Sequence, residues 1–523
     1  MPGTRYLRKL LAAVLGTVAF ALVFVITDYP GPGLDPDALA YLGAGESVAH
    51  RGTYTIPTST WMNADSTSGL AHFPPGFPTA LAIPIRLGLS PTESARFIEA
   101  ASAFVTVAVI VLLVSATASP LSAVFLALGL FSMTSMHEVH VSVLSEPLYL
   151  ACMMLTIGAL FWRPDQPWRA GLAASIALMT RYVGASLIGV VVLWTLTRRG
   201  LSWAQRIRRS LVAIAPAIVL EVIWMARTRA LAAEGAEEIR KFAIYGGLPG
   251  TFRQGMSTVL WWLLPDPHAW DDPMPHHRTL GAFVAIAVFA LAAIGYWWLR
   301  SNGWKKEAVL AEDVRARNAS ALTLLRLVGL VMGAHLGMVI LSRTFADPDI
   351  PFDERILSPA LLLAMIALAL TLTAWWRNTG LVVTRVGVAI GLLAWWLQGA
   401  TATLGEARYA LQWGSDLAGV QWRTSPLLQW ARENATRTKT YSNWTSASYF
   451  YLHRPVRELP RRPDDATLRA FGDTLRARHA IVLMFNTEDP EFTTRAAMLR
   501  IPGIATIARV GDGVVLSVPA TGR

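Results

Sequence analysis

The chain has 523 residues, 53% of them hydrophobic and 15% charged, with a mean hydropathy of +0.41. Soluble domains carry about 25% charged residues, so this balance, with apolar runs near 20 residues, excludes an ordinary soluble protein and indicates a polytopic membrane protein. The net charge of +11 lies in short Arg- and Lys-rich stretches between apolar runs, which is a topology signal and argues against a nucleic-acid partner. The single cysteine, Cys152, excludes an intrachain disulfide framework and a cysteine-based zinc site.

Arg5, Arg8 and Lys9 precede the first apolar run, Leu10 to Thr27. Basic residues stay inside, so the N-terminus is expected in the cytoplasm. Ile26-Thr27-Asp28-Tyr29-Pro30 is a poor signal-peptide cleavage site, so the run is read as an anchor. It delivers a polar loop, Asp28 to Pro78, within an outer segment 28–94. That loop opens on Asp35-Pro36-Asp37, continues through an amphipathic run from Ala38 to Arg51, and closes on His72-Phe73-Pro74-Pro75-Gly76-Phe77-Pro78. Pro75 to Leu89 is apolar but short, which suits a juxtamembrane helix.

Spans are expected at 95–116, 121–136 and 147–162, with 137–145 as a loop leading to Glu146. The stretch 168–196 is too long for one span and carries Arg181 in its middle. A charge at the bilayer centre costs about 2.5 kcal/mol or more, so two short helices meeting near Arg181 are predicted. Further spans follow at 211–226, 279–299, 322–341, 356–375 and 381–398, with Arg227 to Arg278 as a second long outer loop. The total is about eleven, and parity puts the C-terminus outside.

Past Thr403 the composition becomes that of a soluble protein. Strands are predicted at 439–442 and 480–485, a helix at 464–478, and a hairpin from 504–510 and 514–518 joined at Gly511-Asp512-Gly513. The expected organisation is a transmembrane domain, 1–403, and a small extracytoplasmic α/β domain, 404–523.

Asp37 starts an amphipathic helix and has Tyr41 one turn on. An acid there caps the helix or acts on a substrate, and its place beside the membrane favours the second role over the first. Asp35 stands evenly between the two. Glu146 opens a membrane helix, where an acid is a functional candidate by default. His137 and His140 are three apart with no third ligand near in sequence, so a surface role is expected for them; His276-His277 is a similar pair. Arg181 and Arg355 fall at the outer ends of spans. Guanidinium forks suit a phosphate through paired, charge-assisted hydrogen bonds. Acids and arginines on one face of a bilayer therefore suit a lipid-phosphate leaving group with a carboxylate activating the acceptor. Asn318, Asn434 and Asn443 match glycosylation sequons, a pattern frequent by chance.

In their order these features resemble the GT-C class of membrane glycosyltransferases, in the branch that contains protein O-mannosyltransferases and aminoarabinose-lipid A transferases. The residues carrying the resemblance are Asp37 four before Tyr41, the His72-to-Pro78 stretch, Glu146 in Ser145-Glu146-Pro147-Leu148, Arg181 in Thr180-Arg181-Tyr182-Val183-Gly184, and Arg355 before Pro359. Two departures are the Asp35-Pro36-Asp37 spacing in place of adjacent acids, and Glu in place of Asp at 146. The resemblance implies a multi-pass protein of the cell (inner) membrane that inverts a sugar taken from a polyprenyl-phosphate donor. The acceptor would be a glycan, lipid or protein. It further implies Asp37 as general base, and Glu146 as orienting the site or holding a cation. Arg181 and Arg355 would be at the donor phosphate, and Asp35, Tyr41 and His72 at the substrate. A divalent cation is the one cofactor it leaves open, with Asp35, Asp37 and Glu146 as its ligands. The alternatives are a transporter, for which internal repeats are lacking, and a non-catalytic envelope assembly protein.

Overall fold

The computed structural model describes residues 2–233, 248–263, 312–346, 350–378, 382–487 and 492–519. In chain order its first elements are α1 (Pro2–Ile26), α2 (Asp37–Arg51), β1 (Thr55–Ile56), β2 (Thr58–Ser59), β3 (Ser68–Gly69), α3 (Gly76–Arg86) and α4 (Pro91–Thr117). There follow α5 (Pro120–Phe131), α6 (Thr134–Val141), α7 (Glu146–Trp162), α8 (Pro167–Thr180), α9 (Ala185–Leu196), α10 (Trp203–Ala233) and α11 (Leu248–Leu263). Three long helices, Glu312–Phe345, Glu354–Asn378 and Val382–Trp413, lead to β4 (Thr440–Ser442), β5 (Val456–Glu458), β6 (Ile481–Phe485), β7 (Ala505–Val510) and β8 (Gly513–Ser517). A helix at Asp465–Arg478 lies between β5 and β6.

Among the described residues, six helices are long and apolar enough to cross a membrane, and α5 with α6 forms a further pair bent by 67°. The expected span at 279–299 and most of the 227–278 loop lie outside the described residues. What is described of that loop corrects the expectation. It is helical, because α10 runs on to Ala233 and α11 occupies 248–263.

The chain divides into two compact units, one made of 1–26, 96–225 and 240–409, the other of 27–95, 226–239 and 410–523. In the first, α4 and α7 supply fully buried residues, among them Ala100, Ala103, Ile110, Tyr149, Met153 and Ile157. The single span expected at 121–136 is instead broken, and 137–141 is helix rather than loop. Ser119 caps α5 through Ser122 N, with Pro120 in the first turn. The Ser132 hydroxyl bonds back to Leu128 O, the kind of contact that bends helices. The Ser132 carbonyl exposed at the break accepts from Thr403 Oγ1 at 2.9 Å. Such a partner is required of backbone at membrane depth.

The break predicted near Arg181 is present. Thr180 ends α8, Arg181 is extended, and Tyr182–Gly184 makes one tight turn before α9. Only glycine fits at 184, where a Cβ atom would sit 2.5 Å from Leu178 N.

In the second unit a six-stranded sheet has the order β2-β5-β4-β6-β8-β7. β4 runs parallel to β5 and β6, while β8 is antiparallel to β6 and β7. β6 is buried along its whole length, as expected for a central strand. Tyr441, Phe471, Leu475, Val482 and Leu516 form the core beside it. The predicted strands, helix and hairpin all appear here; β5 and β2 are additions. β2 comes from the first loop, with Thr58 opposite Val456 and Ser59 opposite Arg457. Compactness thus divides the chain differently from a cut at 403, because backbone pairing ties residues 58–59 to the C-terminal sheet. Arg457 Nη2 donates to Ala64 O at 2.8 Å, and Trp61 packs edge-on against Phe471. Both contacts hold the loop there.

Candidate active site

Glu146 is the first residue of α7, where the helix dipole favours a carboxylate. Its side chain is 2% exposed. Arg181 Nη1 lies 2.5 Å from Glu146 Oε1, and Arg355 Nε donates to the same oxygen. The break after α8 supplies Arg181. Arg355 is the second residue of the helix Glu354–Asn378, whose start is fixed by Asp353 Oδ1 accepting from Ile356 N at 2.9 Å. Ser145 closes the group: its hydroxyl accepts from Arg181 Nη1 at 3.1 Å and lies 3.4 Å from Glu146 Oε2.

A buried carboxylate is tolerated only when paired. Here two guanidiniums face one carboxylate, so the centre keeps one net positive charge. The side chains of Arg181 and Arg355 remain 19% and 21% exposed. The structure therefore brings together three residues that lie far apart in sequence, and the arrangement suits an anion.

Beneath this centre lies a support that the sequence reading missed. Tyr149, one turn along α7, places its hydroxyl 3.3 Å from His335 Nδ1, and His335 Nε2 lies 3.4 Å from Ile356 O. A carbonyl only accepts, so Nε2 carries the proton and Nδ1 accepts from the tyrosine. The pair links α7 to the helix start that presents Arg355. An available signal was His335 itself, an isolated polar residue within an apolar run.

The remaining candidates belong to the other compact unit. Asp35 Oδ1 accepts from Asp37 N at 3.0 Å, and Asp35 O accepts from Ala38 N at 2.9 Å. Asp35 thus satisfies the start of α2, and Asp37, half-buried in its first turn, is not needed as the cap. Tyr41 is 2% exposed and packs on Phe73 and Phe77 at 4.8 and 5.1 Å. Its ring is a packing element. His72 is exposed and edge-on to Phe73. His137 and His140 are buried, against the expected surface role. Helix α6 turns both inward. His276-His277 lies outside the described residues. Asn443 is also buried, its amide donating to Phe485 O and Thr487 O.

Glu146 does not fit a divalent cation. Two guanidiniums already share one of its oxygens, and a cation added there meets like charge. Among the described residues no group of three His, Cys, Asp or Glu converges as a metal site.

No family model matches the chain, and no curated protein matches it. Solved structures do. The arabinofuranosyltransferase AftD from Mycobacteria superposes with a TM-score of 0.53 at 14% identity, over 98% of this chain and 41% of that one. The fold is that of the GT-C membrane glycosyltransferases. ArnT from Cupriavidus metallidurans bound to undecaprenyl phosphate gives 0.47 at 15% identity, over 97% and 98% of the two chains. An Archaeoglobus fulgidus oligosaccharyltransferase in complex with zinc and sulfate gives 0.48 at 12%, over 91% and 68%. The chain described here spans less than half of the mycobacterial protein's length.

Proposed function

We propose that the chain is an inverting glycosyltransferase that moves a sugar, of the hexosyl type, from a polyprenyl-phosphate donor to a hydroxyl-bearing glycan, lipid or protein on the outer face of the cell membrane. The observation that carries this reading is the convergence of Arg181 and Arg355 on the buried Glu146. Glu146 fixes both forks in advance, and the residual positive charge matches a lipid-linked phosphate. Donors prearranged where charge develops are the largest common source of catalysis.

In the reaction the acceptor oxygen attacks the anomeric carbon from the side opposite the phosphate. The carbon–oxygen bond to the phosphate breaks, and the phosphate leaves with the electron pair, held by Arg181 and Arg355. Asp37 takes the acceptor proton. Glu146 acts by orienting the arginines. Asp35 holds the helix start that carries Asp37. His72 is proposed at the substrate because of its exposure. The N-terminus is cytoplasmic and the sheet extracytoplasmic, as the basic stretches require.

The test is transfer of radiolabelled sugar from polyprenyl phosphate by the purified protein in bilayers, with envelope glycans and glycoproteins of a deletion strain read by mass spectrometry. Labelled product from the native protein and none from Asp37→Asn is expected. Absence of donor binding by the native protein overturns the reading.

A further inference from the structure

Glu99 is a buried acid that the reaction above does not use. It lies on α4, a candidate span of the first compact unit, and is 0% exposed. An ionisable side chain inside a membrane segment is costly and marks function by default. Leu144 N donates to Glu99 Oε1 at 3.2 Å. Glu99 Oε2 is buried and has no hydrogen-bond partner among the described residues. An apolar side chain fills the same space with no oxygen left unmet, so packing does not account for an acid here.

What the acid holds is the approach to the guanidinium centre. Residues 142–145 belong to neither α6 nor α7. Backbone that leaves a helix inside a membrane protein needs a partner from elsewhere, and Glu99 supplies it to the N–H of Leu144. Ser145 follows directly, and its hydroxyl accepts from Arg181 Nη1. Glu146 comes next, with both guanidiniums on its Oε1. A shift of the Leu144 peptide therefore moves two groups that face Arg181. We infer that Glu99 is a positioning residue of this centre: its Oε1 fixes the peptide before Ser145-Glu146, and with it the place of the carboxylate that holds Arg181 and Arg355. The role asks for an acceptor oxygen at the reach of this side chain. The inference rests on the donor-phosphate role proposed for the two arginines.

The experiment uses the full-length protein in nanodiscs, with farnesyl phosphate as the probe and farnesol as its phosphate-free control. Glu99→Gln keeps an acceptor oxygen at the same reach. Glu99→Met keeps length and shape and removes both oxygens. Affinity for farnesyl phosphate is expected to stay within about twofold of native in Glu99→Gln and to fall about tenfold in Glu99→Met. Amide hydrogen exchange over 142–146 should quicken in Glu99→Met alone. The unfolding temperature should not follow this order, because Glu99→Gln leaves two buried N–H donors unmet and Glu99→Met leaves one, that of Leu144. Native affinity and exchange in a folded Glu99→Met, or equal losses in both variants, overturn the inference. A native protein that binds farnesyl phosphate no better than farnesol overturns the transferase reading instead, and amide exchange then still decides whether Glu99 holds the segment. If Glu99→Met does not fold, Glu99→Asp, whose oxygens fall short by one methylene, takes its place with the same expected losses.

Discussion

Thr58 lies opposite Val456 in a pair of parallel strands, and Val456 N donates to Pro57 O. This pairing seats the first loop on the C-terminal sheet. Val456→Pro removes that donor, at a cost of about 1–3 kcal/mol for the unmet carbonyl. Trypsin cleavage after the exposed Arg51 is expected to quicken about tenfold, with little change at sites within the first compact unit. Unchanged cleavage would show that the side-chain contacts of Arg457 and Trp61 hold the loop without the strand.

Glu146→Gln keeps the size of the side chain and removes the charge that holds two guanidiniums. Breaking a buried pair costs about 3–5 kcal/mol, and the lower end is expected because both arginines keep a fifth of their surface exposed. The measurement is thermal unfolding in detergent beside donor binding, and both should fall. Retained donor binding in a destabilised variant would leave Glu146 with a structural role alone.

Arg355→Lys and Arg181→Lys keep charge and lose the fork. Donor affinity is expected to drop about tenfold for each, or roughly 1.4 kcal/mol, with the acceptor concentration dependence unchanged. Titrating donor and acceptor separately checks this. Equal effects on the two substrates would remove the arginines from the phosphate.

Asp35 and Asp37 separate cleanly by substitution. Asp35→Ala loses the bond to Asp37 N and should cost about 1 kcal/mol of stability, with transfer reduced in proportion. Asp37→Asn should leave the unfolding temperature alone and abolish transfer, since an amide takes no proton. Near-normal turnover by Asp37→Asn would take the base role from it.

Tyr449 donates to Glu46 at 3.4 Å, and burial with this carboxylate beside it pushes its pKa up to about 12. The folded state therefore favours the neutral phenol. Its contribution to stability is intact below the ordinary tyrosine value near 10 and is lost as pH rises through about 12. Denaturation between pH 10 and 12 should show a shallower loss of stability for Tyr449→Phe than for the native protein. Parallel curves would mean that the phenol is not held by Glu46.

Much of this was legible because apolar runs and punctuation are local. Arg181 announced its own break by its cost in the bilayer. Gly511-Asp512-Gly513 marked the hairpin, and the all-apolar Ile481–Phe485 marked the central strand. Glu146 and the two arginines that converge on it were visible as misfits in apolar surroundings. What stayed hidden depends on distant partners. Two residues, Thr58 and Ser59, show no strand period, and become a strand only because Val456 is there. The bend after Ser132 rests on Thr403, from a helix far along the chain. His335 stood out as a polar residue in an apolar run, but its partner Tyr149 looks like an ordinary occupant of a span until their hydrogen bond is seen.

The position of β2 also sets a timetable. At roughly 5–20 residues per second, synthesis of the roughly 400 residues between Thr58 and its partner takes about 20 to 80 s. Throughout that interval the first loop, with Asp37, waits without the strand that will seat it. The order of the chain itself thus delays the seating of this loop until Val456 has been made.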